Sequence, residues 1–309
     1  MLHCAKLERQ PRVFQSLTGF SLVVFAQLLS AFEQAYATAQ DTAAAQREQA
    51  CERQRGGGRK ATLATLADKL LFILFYFRLY PTQAAEGFFF GISQGQACTW
   101  IHRLTPVLHQ ALGSEQQLPA RQPAAVTQIL AACPDLAFIV DGPERPIQRP
   151  QAAERQRQYY SGKKKRHTVK NNVLVNAHGE IALLTATCEG KKHDKKIADE
   201  AAVTLPEGSL LYQDTGFQGY ALEGTTIFQP KKKPRGGELT TDEKAQNRAI
   251  SSIRVRVEHA INGVKRYRIV KDQLRNWKAN FRDQVMETCC GLHNFRLRFR
   301  SWSYFSVVA

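Results

Sequence analysis

Two short apolar runs, each ending in an aspartate, constrain this chain more than any other feature. Leu136-Ala-Phe-Ile-Val140 leads into Asp141, and Ser209-Leu-Leu-Tyr-Gln213 leads into Asp214. Runs of this length, bounded by turn formers, read as buried strands. Asp141 is followed by Gly142-Pro143 and Asp214 by Thr215-Gly216, so each strand stops at its acid. The fold must therefore contain a sheet that delivers carboxylates at strand ends. A third acid, Glu258, lies in a long helical stretch.

Charge says what such a margin would face. Lys and Arg number 43 against 27 Asp and Glu, a formal net charge of +16. An excess of this size favours polyanions, because neutralising phosphates releases their counterions. Strand-end aspartates, a helix glutamate and a basic surface together point to a metal site acting on nucleic-acid phosphodiesters. The 309 residues suffice for one large domain or two moderate ones.

The seven cysteines include no CxxC pair and no zinc-finger spacing. Cys289-Cys290 followed by His293 reads as apolar helix positions rather than metal ligands, and a reducing cytoplasm is expected. Lys6, Glu8, Arg9, Pro11 and Arg12 interrupt any apolar core near the start, so no secretory leader is expected. Leu70 to Phe77 is too short to span a bilayer and reads as a buried helix.

The N-terminal third reads as helical. Ser21 caps a helix with Leu22, Phe25, Leu28, Leu29 and Phe32 on one face, continuing through an Ala- and Gln-rich stretch to Gly56-Gly57-Gly58. A second helix runs from about Thr62 to Tyr80, before Pro81. Thr82 to Phe90, a break at Gly91-Ile92 and a helix from Ser93 through His109 suit a helix-turn-helix or an ordinary α-hairpin. As a helix-turn-helix it would present Gln94, Gln96, Thr99 and Arg103 to base edges.

The expected organisation is a helical DNA-binding region over 1–112, a linker over 113–135 and an α/β domain over 136–300. In that domain His167 to Ala177 and Glu180 to Cys188 read as a hairpin turning at His178-Gly179. Lys195 to Val203 reads as a helix, Glu223 to Thr240 as an exposed basic loop, and Asp242 to Lys265 and Phe281 to Leu297 as helices.

At about 100° per residue, Arg254, Glu258 and Lys265 fall within roughly 40° of one another. They form a polar face beside the stripe Ile250, Ile253, Val257, Ile261 and Val264. Taken alone, Arg254 and Glu258 read as a surface i,i+4 pair worth a few tenths of a kcal/mol. The order of elements argues otherwise. A strand ending in Asp, a hairpin, a helix, a second strand ending in Asp and a late helix carrying Glu is the order of a ribonuclease-H-like domain. Its mixed sheet is flanked by helices, and its carboxylates suit Mg²⁺ or Mn²⁺.

The chain resembles insertion-sequence transposases of the DDE class, of the IS-Five type related to Harbinger-like transposases. The matching words are Val140-Asp-Gly142, Gln213-Asp-Thr-Gly-Phe217 and Arg254-Val-Arg-Val-Glu258 to Lys265. Tyr160-Ser-Gly-Lys-Lys-Lys-Arg-His-Thr168, Gly190-Lys-Lys-His-Asp194 and the block Phe75 to Arg103 also resemble family motifs. A tyrosine often found three residues before the arginine is Ser251 here. The resemblance implies that Asp141, Asp214 and Glu258 hold two Mg²⁺ (or Mn²⁺) ions. Water would cut a strand at the element end, and the freed 3′-hydroxyl would attack target DNA. It also implies double-stranded DNA with terminal inverted repeats as partner, a homo-oligomer on that DNA, and a cytoplasmic, nucleoid-associated location. The alternatives are a DNA-binding protein with a repurposed catalytic domain and a stand-alone metal-dependent nuclease.

Asp194 reads as a helix cap, with a metal position as its competing role; Asp135 and Asp242 read as caps or surface. Arg155, Arg157, Lys163, Lys164, Lys165, Arg166 and Lys170 have no intervening acid and read as a phosphate track beside the sheet, or as a solvated face. Lys191, Lys192 and Lys231-Lys232-Lys233 would extend it, and Arg254 and Lys265 are expected to face DNA. Trp100, Trp277 and Trp302 read as packing residues before base-stacking ones.

Overall fold

Hydroxyl caps begin four of the N-terminal helices, and those at Ser21 and Ser93 are the ones the sequence predicts. The computed structural model describes residues 1–46, 61–122, 137–276, 278 and 280–299. Within them α1 is Cys4–Leu7, α2 Pro11–Thr18, α3 Leu22–Ala45, α4 Leu66–Leu79, α5 Gln83–Phe90 and α6 Gln94–Ser114. The side chains of Ser21, Thr65, Thr82 and Ser93 accept from the backbone N–H groups of Val24, Asp68, Ala85 and Gln96. Each satisfies a donor that the first helical turn leaves orphaned.

Two compact units result. The first comprises Met1–Leu118 with Arg266–Ile269 and Gln284–Arg296, the second Pro119–Lys265 with Val270–Asp283 and Leu297–Ala309. The boundary near Leu118 lies inside the expected linker, but most of the last long helix groups with the N-terminal helices rather than with the sheet. The Gly56-Gly57-Gly58 joint and the segment 123–136, including Asp135, lie outside the described residues.

In the first unit α4 is the core. Leu70 to Phe77 are all buried, so this run is an interior helix, as expected from its length. Phe90 of α5 meets Phe72 and Phe75 edge-on, with ring centroids 5.0 and 5.5 Å apart. Helix α3 buries Val24, Phe25, Leu28, Ala31, Phe32, Ala35 and Tyr36. The α5–α6 turn is tight: a β-carbon on Gly87 would stand 2.6 Å from the Ile92 carbonyl oxygen, and Gly91 takes a φ of +66°. Neither position tolerates a side chain without strain.

The second unit holds β1 (Ala137–Asp141), β2 (Glu144–Pro146), α7 (Ala153–Tyr159), β3 (Tyr160–Ser161), β4 (Arg166–Lys170), β5 (Val173–Val175), β6 (Ile181–Leu184), β7 (Cys188–Glu189), α8 (Asp194–Ala201), β8 (Leu210–Tyr212), β9 (Thr226–Phe228) and α9 (Thr241–Val264). Its main sheet runs β6-β5-β1-β8-β9. The β5–β6 and β1–β5 pairs are antiparallel, while β1–β8 and β8–β9 are parallel. This is the mixed sheet expected of the α/β region. Phe138, Val140, Leu174, Leu183, Leu211 and Phe217 pack its core with Ala198 and Val203.

The expected hairpin is instead shared between two sheets. Strands β4 and β7 pair in a smaller sheet with β2 and β3, and only β5 and β6 join the main one. The break falls at Asn171-Asn172. Asn171 Nδ2 donates to the Thr185 carbonyl at 2.9 Å, and the Asn172 N–H donates to Thr185 Oγ1 at 2.8 Å. These side-chain bonds replace ladder bonds there. The expected loop over 223–240 also contains an edge strand, because Thr226-Ile-Phe228 can pair with β8.

Candidate active site

Strands β1 and β8 are parallel neighbours with Ile139 opposite Tyr212. Asp141 and Asp214 each stand two residues further on, at the same level on adjacent strands spaced about 4.8 Å. The Gly142 N–H donates to Asp141 Oδ1 at 2.8 Å. Burial holds the Asp141 carboxyl above the usual carboxylate range. The Gly142 bond and Arg254 oppose that shift, and the charges of Asp214 and Asp194 add to it. Asp214 caps a one-turn 3-10 helix, Thr215–Phe217, accepting from the Thr215 N–H.

Helix α9 supplies the next groups. Its Thr240–Glu243 capping box sets the start. Ile250, Val257, Ala260, Ile261 and Val264 are buried, which fixes its rotation. Arg254 Nη2 then lies 3.6 Å from Asp214 Oδ2. Lys265, at the other end of the helix, is half-buried. Burial and the nearby Lys164 charge lower its pKa, while Asp141 raises it. The polar face read from the sequence thus brings Arg254 and Lys265 to the two aspartates. Glu258 is exposed on the same helix.

Hard carboxylate oxygens side by side at strand ends are donors that fit a divalent cation such as Mg²⁺. Among the described residues, however, no three His, Cys, Asp or Glu side chains are grouped so as to hold a metal ion. The structure therefore gathers Asp141 and Asp214, but not Glu258 with them.

The basic run divides. Lys163, Lys164, Lys165 and Arg166 are exposed at the β3–β4 turn, where Lys165 adopts a φ of 51°. Lys170 does not belong with them. It is 9% exposed, and its Nζ lies 3.1 Å from Asp194 Oδ1 and 3.5 Å from Glu144 Oε1. Lys170 enters the interior with its strand neighbours Thr168 and Val169, where a lone ammonium is costly and two carboxylates compensate it. Asp194 also departs from its expected capping role. It is the first residue of α8, His193 is the N-cap, and no side-chain bond caps the helix.

In the first unit Gln94, Gln96, Thr99 and Arg103 are exposed along α6. Gln96 is committed elsewhere, since its Oε1 accepts from the Ser93 N–H at 3.0 Å in a capping box. The Arg103 guanidinium lies over the rings of Tyr36 and Trp100, at 5.3 and 5.2 Å. Trp100 is thereby engaged within its own unit, whereas Trp277 and Trp302 lie outside the described residues. No single helix among the described residues is long and apolar enough to cross a membrane.

Sequence reasoning passed over Asn172 and the inward role of Lys170. Their only signals were an Asn-Asn pair interrupting a strand and a lysine at an inward-facing position.

Comparison with known proteins adds to this geometry. The family described as DDE superfamily endonuclease matches residues 140–294, and the helix-turn-helix of DDE superfamily endonuclease matches residues 61–114. A protein of Microchaete diplosiphon named as a transposase for insertion sequence element IS702 is 24% identical over 252 residues, covering 81% of this chain and 87% of that protein. One of Streptomyces albus G, named as a transposase for insertion sequence element IS112, is 26% identical over 209 residues, 67% of this chain and 72% of the other. No solved structure matches this chain significantly.

Proposed function

We propose that this chain, which belongs to the DDE superfamily endonucleases, is the transposase of an insertion sequence, cutting DNA at the element ends and joining the freed 3′ ends to target DNA. The observation that carries the reading is the register of Asp141 and Asp214 on adjacent parallel strands, inside the segment that matches the endonuclease family. Membership in that family implies dependence on a divalent metal. We assign Asp141, Asp214 and Glu258 as the residues that hold it, as two Mg²⁺ or Mn²⁺ ions. Bound there, such ions would acidify the attacking hydroxyl and stabilise the leaving oxygen of an in-line displacement.

The protein's own groups do the rest. Arg254, 3.6 Å from Asp214, restrains that carboxylate and limits repulsion between the two acids. Lys265 stands where Asp141 and Lys164 both act on its charge, a position suited to a phosphate entering the site. Lys163 to Arg166 grip the DNA backbone without reading sequence. Helix α6 reads the terminal inverted repeats through Gln94, Thr99 and Arg103, and the protein works as a homo-oligomer on DNA in the bacterial cytoplasm. The match to a helix-turn-helix over 61–114 favours this over a stand-alone nuclease.

The test is cleavage of duplex DNA carrying the inverted repeats that flank the gene, with and without Mg²⁺. End-specific nicking followed by joining to a second duplex is expected. Mg²⁺-dependent cleavage indifferent to the repeats would indicate a nuclease, and binding without cleavage a repurposed domain.

A further inference from the structure

Asp194 touches both turns that follow the paired aspartates. Its Oδ1 would lie 2.7 Å from a β-carbon on Gly142, and its Oδ2 3.2 Å from one on Gly216. Those glycines come one residue after Asp141 and two after Asp214. Only glycine at 142 leaves room for the carboxylate. Lys170 holds it from behind at 3.1 Å, while Lys170 itself reaches the Lys192 carbonyl at 3.2 Å and Glu144 at 3.5 Å. Glu144 Oε2 accepts in turn from Thr168 Oγ1 at 2.9 Å.

Asn172 closes the arrangement. It is 2% exposed. Its Nδ2 donates to the Asp194 carbonyl at 2.8 Å. Its Oδ1 is buried without a hydrogen-bond partner and would stand 3.1 Å from a Gly142 β-carbon. A buried acceptor left open beside the acids is what a site prepared for a cation and its water presents.

Resting on the assignment of Asp141 and Asp214 as cation-holding acids, we propose that Asp194 is a positioning residue for that pair. Its carboxylate, anchored by Lys170 while Asn172 holds its backbone carbonyl, fixes the separation of the Gly142 and Gly216 turns and so the distance at which the two acids face a divalent ion. The supporting groups around a metal site orient its ligands, and their loss costs about 10- to 100-fold in affinity.

The experiment titrates the full-length chain with Mn²⁺ alone and follows free Mn²⁺ by electron paramagnetic resonance. Asp194→Ala and Asp194→Asn are expected to weaken Mn²⁺ binding about tenfold or more. Asp194→Asn keeps the side-chain volume if the alanine variant fails to fold. Ile197→Ala, which removes a buried side chain from the same helix, should lower Tm yet leave Mn²⁺ affinity unchanged. Asp141→Asn and Asp214→Asn, run alongside, should lose binding outright. If they do while both Asp194 variants bind like the unaltered chain, the positioning role is overturned and the cation assignment stands. An Ile197→Ala loss matching that of Asp194→Asn would overturn it equally. If the unaltered chain shows no saturable Mn²⁺ binding, or Asp141→Asn and Asp214→Asn leave it intact, the cation assignment falls and this inference with it.

Discussion

Asp141 and Asp214 lie side by side because the parallel register of β1 and β8 carries both two residues past the Ile139–Tyr212 pair, so an amide at either position keeps the geometry and removes only the charge. Asp141→Asn, Asp214→Asn and Glu258→Gln are each expected to abolish strand cleavage while leaving end binding largely intact. Measured cleavage within tenfold of the unaltered protein would remove that residue from the site, and Glu258 is the most exposed to this test. A second residue acts on stability alone. Glu86 of α5 is fully buried with neither carboxylate oxygen hydrogen-bonded, and burial pushes its pKa up from 4.5 to about 9. The folded state therefore binds a proton that the unfolded chain releases. Stability should be full below about pH 4.5 and fall by at most about 1.4 kcal/mol per pH unit as pH rises toward 9. Glu86→Gln should flatten that slope in denaturant titrations between pH 5 and 8, and an unchanged slope would show that Glu86 does not titrate as burial dictates.

At the scale of elements, the duties proposed for the β3–β4 turn and for α6 can be separated by experiment. Lys163, Lys164 and Lys165 are all exposed on one turn, whereas Lys170 is turned inward. Lys163→Ala, Lys164→Ala and Lys165→Ala combined should weaken specific and random duplex binding alike. They should also flatten log affinity against log salt by about 0.9 per lost phosphate contact. An identical slope would make the turn a solvated face. On α6, Gln94→Ala and Thr99→Ala are expected to reduce discrimination between element ends and random DNA with Tm unchanged. Gln96→Ala should instead lower Tm through the lost capping box, worth about 1 kcal/mol. Equal end discrimination in all three variants would remove α6 from base recognition.

For the whole molecule, the partition of the chain decides what can be cut away. Gln284–Arg296 groups with Met1–Leu118. Phe295, fully buried, meets Phe20 at 6.1 Å, and Asn294 Nδ2 donates to the Gln117 carbonyl at 2.9 Å. A fragment of residues 1–112 is therefore expected to unfold well below the full chain, because it lacks the helix that completes its core. Adding residues 281–297 as a separate peptide should raise its Tm. A fragment as stable as the intact N-terminal unit, by circular dichroism melting, would contradict this.

Local chemistry was legible in the residues. Caps at Ser21 and Ser93, the apolar runs before Asp141 and Asp214, and the 3.6-residue stripe of α9 act over a few neighbours, so they are written in order along the chain. What only the tertiary structure decided involves residues distant in sequence. The last helix joined the first ones because its apolar face is completed by α1–α6 residues that no local pattern identifies. The hairpin split because Asn171 and Asn172 found Thr185 across the turn. Lys170 and Asp194, 24 positions apart, exchanged an expected phosphate contact and an expected cap for each other. A side chain's partner is set by where the backbone carries it, and a buried charge takes the nearest compensating one.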